Sequence, residues 1–227
     1  MFDATPLSSD CARLYPEVSH ACVGVSPFNG YFTADRLVRL AAWTAEHFEH
    51  FHFFIPDEVT AYTLEALGYP PARARQKAHR QSCHLHNKIG AALSALGVPD
   101  PGSRILGMAR LRELPGYRRL AREVEHRFET DLEFRSACYG ASTWVLQDKA
   151  GALPDEGRIR LAVRYFLAEL PLFAGSGLIT GHPRSMFVYH QRVPFLQQFF
   201  DRQLGFRPEP GQGFLVVREA ALEVSGR

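Results

Sequence analysis

Ser26 is the residue of this chain whose position most invites chemistry. It follows the short apolar run Ala21–Val25, which reads as a strand buried on both faces. Pro27, Phe28, Asn29 and Gly30 then form a turn signal. Thr33 offers an N-cap, and Leu37, Leu40, Ala41, Thr44 and Phe48 follow at helical spacing. A serine where a buried strand gives way to a helix sits at the carboxyl edge of an open α/β sheet, where ligands bind. Its hydroxyl could attack an acyl group, although a serine at such a turn commonly bonds only local backbone. The nucleophile elbow of serine hydrolases, G-x-S-x-G, is missing, because Phe28 stands two residues after Ser26. Ser26 therefore needs other company.

Two segments supply it. The stretch Arg158–Leu170 reads as a helix with almost no polar face, yet it carries Tyr165 and Glu169 four residues apart, on one side. A buried carboxylate needs a partner or shifts its pKa. The partner is either an arginine such as Arg164 or Arg192, or a cationic ligand such as an α-ammonium group. The strand-like run Ser185–Tyr189 ends in Tyr189 and is followed by His190, two proton-capable side chains that could converge on Ser26.

A third signal is electrostatic. Arg73, Lys77, Arg80, His84 and Lys88 are spaced by 4, 3, 4 and 4 residues and form one stripe of a helix from Pro71 to Leu96. Ala74, Ala78, Leu85, Ile89, Ala92 and Leu96 fall on the core side. Between Ala72 and Gly90 there are five Arg or Lys and no acid, which leaves −3 for the remainder of a chain whose net charge is +2. A solvated face usually mixes both signs to gain i,i+4 pairs. A stripe of one sign is the footprint of a polyanion.

The elements that must position these groups alternate. Phe51–Ile55 reads as a second strand, Glu58–Leu67 as a short helix closed by Gly68, and Arg104–Arg110 as a third strand. Tyr117–Gln147 reads as a long helical region interrupted near Tyr139-Gly140. Pro171 should stop the Arg158–Leu170 helix; Phe195–Leu204 reads as helical and Phe214–Arg218 as a last strand. This alternation predicts an α/β fold, a parallel sheet flanked by helices, with residues 1–227 as a single domain. A hydrophobic share of 46% is ordinary for a globular chain of this size, and no apolar run suggests a membrane span. No secretory signal is evident, and Cys11, Cys22, Cys83 and Cys138 show no C-x-x-C pairing, so reduced thiols in a cytoplasm are expected. The histidines fall in poor clusters (His47, His50, His52; His79, His84, His86), without H-E-x-x-H, and no metal is expected. Neither a P-loop nor a G-x-G-x-x-G is present.

Taken together, these residues resemble the cyclodipeptide synthases. Gly24–Phe32 is similar to the first signature of that family, and Tyr165, Glu169 and Pro171 meet the second, Y-x-x-x-E-x-P. Phe54–Asp57, Tyr62–Tyr69 and Gly211–Leu215 look like further landmarks, so the resemblance spans about residues 20 to 217. It implies a Rossmann-like monomer related to class I tyrosyl- and tryptophanyl-tRNA synthetases. Such an enzyme uses two aminoacyl-tRNAs, without ATP, cofactor or metal, to release a diketopiperazine. The resemblance makes Ser26 the nucleophile, gives Tyr165 and Glu169 the ammonium group, and makes Tyr189 a proton relay, with Tyr117 a further active-site tyrosine. Asn29, Tyr189 and His190 look like the asparagine-tyrosine-histidine branch; His190 then either transfers protons or orients the loop. Cys22, Gly24, Leu172 and Phe187 would line the pocket of an apolar first residue, and the basic stripe would lie along tRNA. The competing classes are a non-catalytic RNA-binding protein of this fold and a serine esterase or acyltransferase.

Replacing Arg73, Lys77 and Arg80 with alanine should weaken tRNA binding and flatten its salt dependence, by roughly one logarithmic unit of slope for each phosphate no longer neutralised. Titrations across ionic strength check this. An unchanged slope would reduce the stripe to a solvated face.

Overall fold

The computed structural model describes residues 2–150 and 153–220. Strand β1 (Phe2–Pro6) and helix α1 (Ser9–Leu14) precede β2 (His20–Gly24), α2 (Ala34–His47), β3 (His50–Phe54), α3 (Thr60–Ala66) and α4 (Pro71–Ala95). There follow β4 (Ile105–Leu106), α5 (Met108–Glu113), α6 (Pro115–Thr130), α7 (Leu132–Ala150), α8 (Glu156–Thr180), β5 (Ser185–Tyr189), α9 (Pro194–Phe200) and β6 (Gln212–Glu219). One six-stranded sheet, ordered β1-β6-β5-β2-β3-β4, runs through the chain. Every neighbouring pair is parallel except β1 and β6.

The two-residue period of the strands sorts side chains between two cores. Ala21, Val23, Phe53, Met186, Val188 and Leu215 pack toward α2 and α4. Cys22, Phe54, Phe187, Phe214 and Val216 pack toward α8. The second set shares its parity with Gly24 at the end of β2, with Ser26 two residues beyond it, and with Tyr189 on β5. Because β2 and β5 are adjacent and parallel, the carboxyl ends of both deliver their polar groups to the α8 face. A side chain at Gly24 has no room there: its Cβ would lie 2.8 Å from Cζ of Phe187.

Several elements differ from expectation, each for a local reason. The third strand is only Ile105–Leu106, because the Asp57 carboxylate accepts from the Met108 amide at 3.0 Å and starts α5 there. The long helical region breaks at Asp131 rather than at Tyr139-Gly140; the Asp131 side chain accepts from the Phe134 amide and caps α7. Pro171 does not stop α8. This helix is the packed centre of the α8-side core, and burial outweighs the lost backbone bond. The helix departs from helical geometry only at Gly175, where the Ala174 carbonyl accepts from Glu209 instead. Helix α9 ends at Phe200, short of Leu204, and Leu96 is exposed rather than buried. The antiparallel edge strand β1 carried no expectation, since its alternation is short and half exposed.

Helix α8 is also long and apolar enough to cross a membrane by composition, against the expectation that no segment is. In this fold 67% of its apolar window is buried inside the protein, as a core helix is.

Candidate active site

Ser26 follows β2 directly, after Val25 extends the ladder by donating its amide to Phe54. Phe28 then adopts φ 62°, an uncommon conformation for a bulky residue, so the loop is held against local preference. Its clamp is Asn29. The Asn29 Oδ1 accepts from the Tyr31 amide at 3.0 Å, which leaves Nδ2 to donate to His190 Nε2 at 2.9 Å. His190 Nε2 must therefore be unprotonated. The ring is buried, stacks on Tyr31 at 4.1 Å and meets Phe32 edge-on at 5.3 Å. Burial first, then Arg218 and Arg36, push its pKa down to about 4. His190 is thus placed as a neutral acceptor against Asn29, in the loop that follows Ser26.

The Ser26 hydroxyl lies 3.0 Å from the Tyr189 hydroxyl. Burial pushes Tyr189 up to about 12, so it is a neutral phenol that can pass a proton but does not act as a strong base. On α8, within reach of Ser26, Tyr165 donates to Glu169 Oε1 at 2.7 Å. Neither suggested arginine reaches this carboxyl: Arg164 turns to Tyr62, and no ion pair among the described residues joins Glu169 to a cation. Burial accordingly raises Glu169 to about 8, and the Tyr165 bond only partly opposes it. The magnitudes order this way because removing an unpaired carboxylate from water costs several kcal/mol. One hydrogen bond to a charged group returns about 1.5–3 kcal/mol.

Ser26, Asn29, Gly24, Tyr165, Glu169, Phe187 and Tyr189 all line one cavity of about 370 Å³. The sequence reading missed most of its walls: Thr60, Thr63 and Leu64 from α3, Trp144 and Val145 from α7, and Phe166 and Phe173 from α8. Their helical periodicity showed a core face, and nothing local separated core from cavity. Four expected residues do not line it, and one of them, His190, lies against Asn29 and Tyr31 instead. Cys22 and Leu172 are fully buried in the core and do not border the cavity, Cys22 because its strand position is covered by α8. Tyr117 borders a different cavity, and its hydroxyl donates to the Ala168 carbonyl at 3.0 Å, which ties α6 to α8.

Along α4, Arg73, Arg80 and His84 are exposed and Lys77 and Lys88 partly so, and no ion pair among the described residues engages any of them. Lys77 joins the stripe to the site: it donates to the Tyr69 hydroxyl at 2.7 Å and lies 5.4 Å from the ring centre of Phe28. No His, Cys, Asp and Glu group among the described residues is arranged to hold a metal ion.

The family model for cyclodipeptide synthases matches residues 2–219. A cyclo(L-leucyl-L-leucyl) synthase of Bacillus subtilis is 30% identical over 99% of this chain and 92% of that protein. The chain belongs to the cyclodipeptide synthase family. A cyclo(L-tyrosyl-L-tyrosyl) synthase of Mycobacterium tuberculosis is likewise 30% identical, over 95% of this chain and 75% of that one. A solved Mycobacterium tuberculosis structure superposes with a TM-score of 0.87 at 29% identity, covering 96% of this chain and 94% of that one; its description relates cyclodipeptide synthetases to type I tRNA synthetases. As a cyclodipeptide synthase, this chain forms peptide bonds between aminoacyl groups delivered by tRNA.

The raised Glu169 pKa carries a sign. Between the ordinary value of 4.5 and about 8, the unfolded chain ionises while the folded one stays protonated, so stability falls as pH rises through this window. Glu169→Gln removes that loss. The melting temperature of the variant relative to the parent should climb from about pH 4.5 to about pH 8 and then level off. A flat difference would show that Glu169 is ionised at its usual pKa.

Proposed function

We propose that Ser26 is acylated by the first aminoacyl-tRNA and carries the growing product until it cyclises. The observation that supports this most strongly is the pairing of the Ser26 hydroxyl with Tyr189, in the same cavity as a carboxyl that pairs with no cation. Glu169 ionises when the α-ammonium group arrives, and Tyr165 holds it in position. The cation replaces the water that the carboxylate would otherwise need. With the ammonium fixed, the ester carbonyl is presented to Ser26. Oγ forms the new ester, the ribose oxygen of tRNA leaves, and the serine proton passes toward that oxygen with the Tyr189 hydroxyl in reach.

No strong base touches Ser26, since His190 has its Nε2 committed to Asn29. This suits an ester that is already activated, where positioning supplies much of the rate. The amine of the aminoacyl group held on Ser26 then attacks the ester carbon of the second aminoacyl-tRNA, the ribose oxygen of that tRNA leaves, and a dipeptidyl-enzyme results. The free amine of the newly added residue attacks the Ser26 ester carbon, the ring closes and Ser26 Oγ leaves with the proton the amine gives up. The chain acts as one catalytic unit and as a monomer in the cytoplasm. Its four free cysteines agree with a reducing compartment.

Product identity follows from the cavity rather than from overall likeness, because relatives equally similar to this chain make dileucyl and dityrosyl products. Phe166, Phe173, Phe187 and Leu64 make the wall apolar, which favours an apolar first residue.

Ser26→Ala should abolish cyclic product while leaving melting behaviour and tRNA affinity close to the parent. In the parent mixed with aminoacyl-tRNA, mass spectrometry should find an aminoacyl adduct on Ser26, and its mass names the first residue. Product formation by the alanine variant would sink the covalent route.

A further inference from the structure

A second cavity, of about 520 Å³, opens on the other side of α3 and α8 from the Ser26 cavity. Arg112 of α5, Arg118 and Arg122 of α6 and Arg164 of α8 line it. Arg112 is paired with Glu58, and Glu125 is the one acid on the cavity wall. No ion pair among the described residues engages Arg118, Arg122 or Arg164. The neighbouring Arg119 behaves differently, since it is bound to Glu209 at 2.7 Å. Arg164 is held in place without being neutralised: its guanidinium lies 4.1 Å over the Tyr62 ring and donates to the Tyr62 hydroxyl at 3.0 Å. Uncommitted guanidiniums from two helices around one concavity match the bidentate geometry of phosphate oxygens.

Position narrows the source of the phosphate. Tyr62 and Arg164 face this cleft, while their chain neighbours Thr63 and Tyr165 face the Ser26 cavity. The two sites are therefore separated by about one helix diameter, roughly 10 Å. The basic face of α4 lies on the other flank, where α4 packs against α3 through Ala74, Ala78, Ala61 and Leu64. Once Ser26 carries the first aminoacyl group, that group fills the inner pocket. The second aminoacyl group must enter displaced from it, and the RNA behind it cannot lie as the first one did.

We propose that the arginine cleft binds the phosphodiester backbone of the second aminoacyl-tRNA, while α4 serves the first. This rests on the reading that Ser26 is acylated before a second tRNA is used. The test separates the two half-reactions. Acylation of Ser26 is timed by mass spectrometry; isolated acyl-enzyme is then mixed with the second aminoacyl-tRNA and dipeptide transfer is timed. Arg118 and Arg122 are exposed, so Arg118→Ala/Arg122→Ala should melt like the parent. Arg118→Lys/Arg122→Lys, which keeps charge but loses the fork, provides a milder second variant.

The expected result for the alanine pair is a transfer step slowed about tenfold more than acylation, with the lysine pair between it and the parent. With aminoacyl adenosine as second donor, which has no backbone to grip, parent and variants should react alike. Unchanged transfer, equal slowing of both steps, or a defect that persists with aminoacyl adenosine would each overturn the proposal. Failure of the parent itself to acylate would instead bring down the reading beneath it.

Discussion

A carboxyl without a cation organises this protein. Glu169 is half-buried in the cavity wall, and among the described residues its side chain is hydrogen-bonded to the Tyr165 hydroxyl and paired with no cation. A structural carboxylate in such a place would normally be paired. Here the arginine nearest in the chain, Arg164, is drawn off to Tyr62, so the protein keeps a site that is electrostatically incomplete until a cationic ligand enters. The cost is a carboxyl that stays protonated in the folded chain up to about pH 8. In the proposed reaction this carboxyl receives the ammonium group, in the same cavity as Ser26.

The rest of the fold holds Ser26 in the same cavity as that carboxyl. Strand parity sends Ser26 and Tyr189 to the α8 face, and the adjacent parallel pair β2 and β5 brings their ends together. The Asn29–His190 bond and the stacked Tyr31 lock the loop after Ser26, including the strained Phe28. Through Lys77, the same loop touches the basic helix. A serine esterase would have no use for that helix, and a purely RNA-binding protein would have no use for a half-buried carboxyl with no cation beside it.

Much of this was legible from local sequence. Ser26, Tyr165, Glu169 and Tyr189 stood out because polar, reactive side chains interrupt apolar runs, and the α4 stripe because its period and sign are unmixed. The β2, β3, β5 and β6 strands were visible as buried apolar runs. The failures were non-local. Asp57 starts α5 from 51 residues away, and tertiary packing carries α8 through Pro171, whose local preference is to end a helix. Cys22 and Leu172 lie beside the motifs in sequence but point into the core, and Tyr117 has no motif to align it; it turned out to tie α6 to Ala168. The cavity walls from α3 and α7 could not be told from core positions, because a helix face that lines a pocket has the same period as one that packs.

The measurement that bears most directly on this account is the protonation state of Glu169 before and after Ser26 is acylated. Infrared difference spectra of the parent against Glu169→Gln isolate this single carboxyl. At about pH 6, inside the window between 4.5 and about 8, the free protein should show the carbonyl band of a protonated acid. The aminoacyl-enzyme should show carboxylate bands in its place. An ionised Glu169 in the free protein, or a protonated one that does not change when the aminoacyl group arrives, would contradict the central claim.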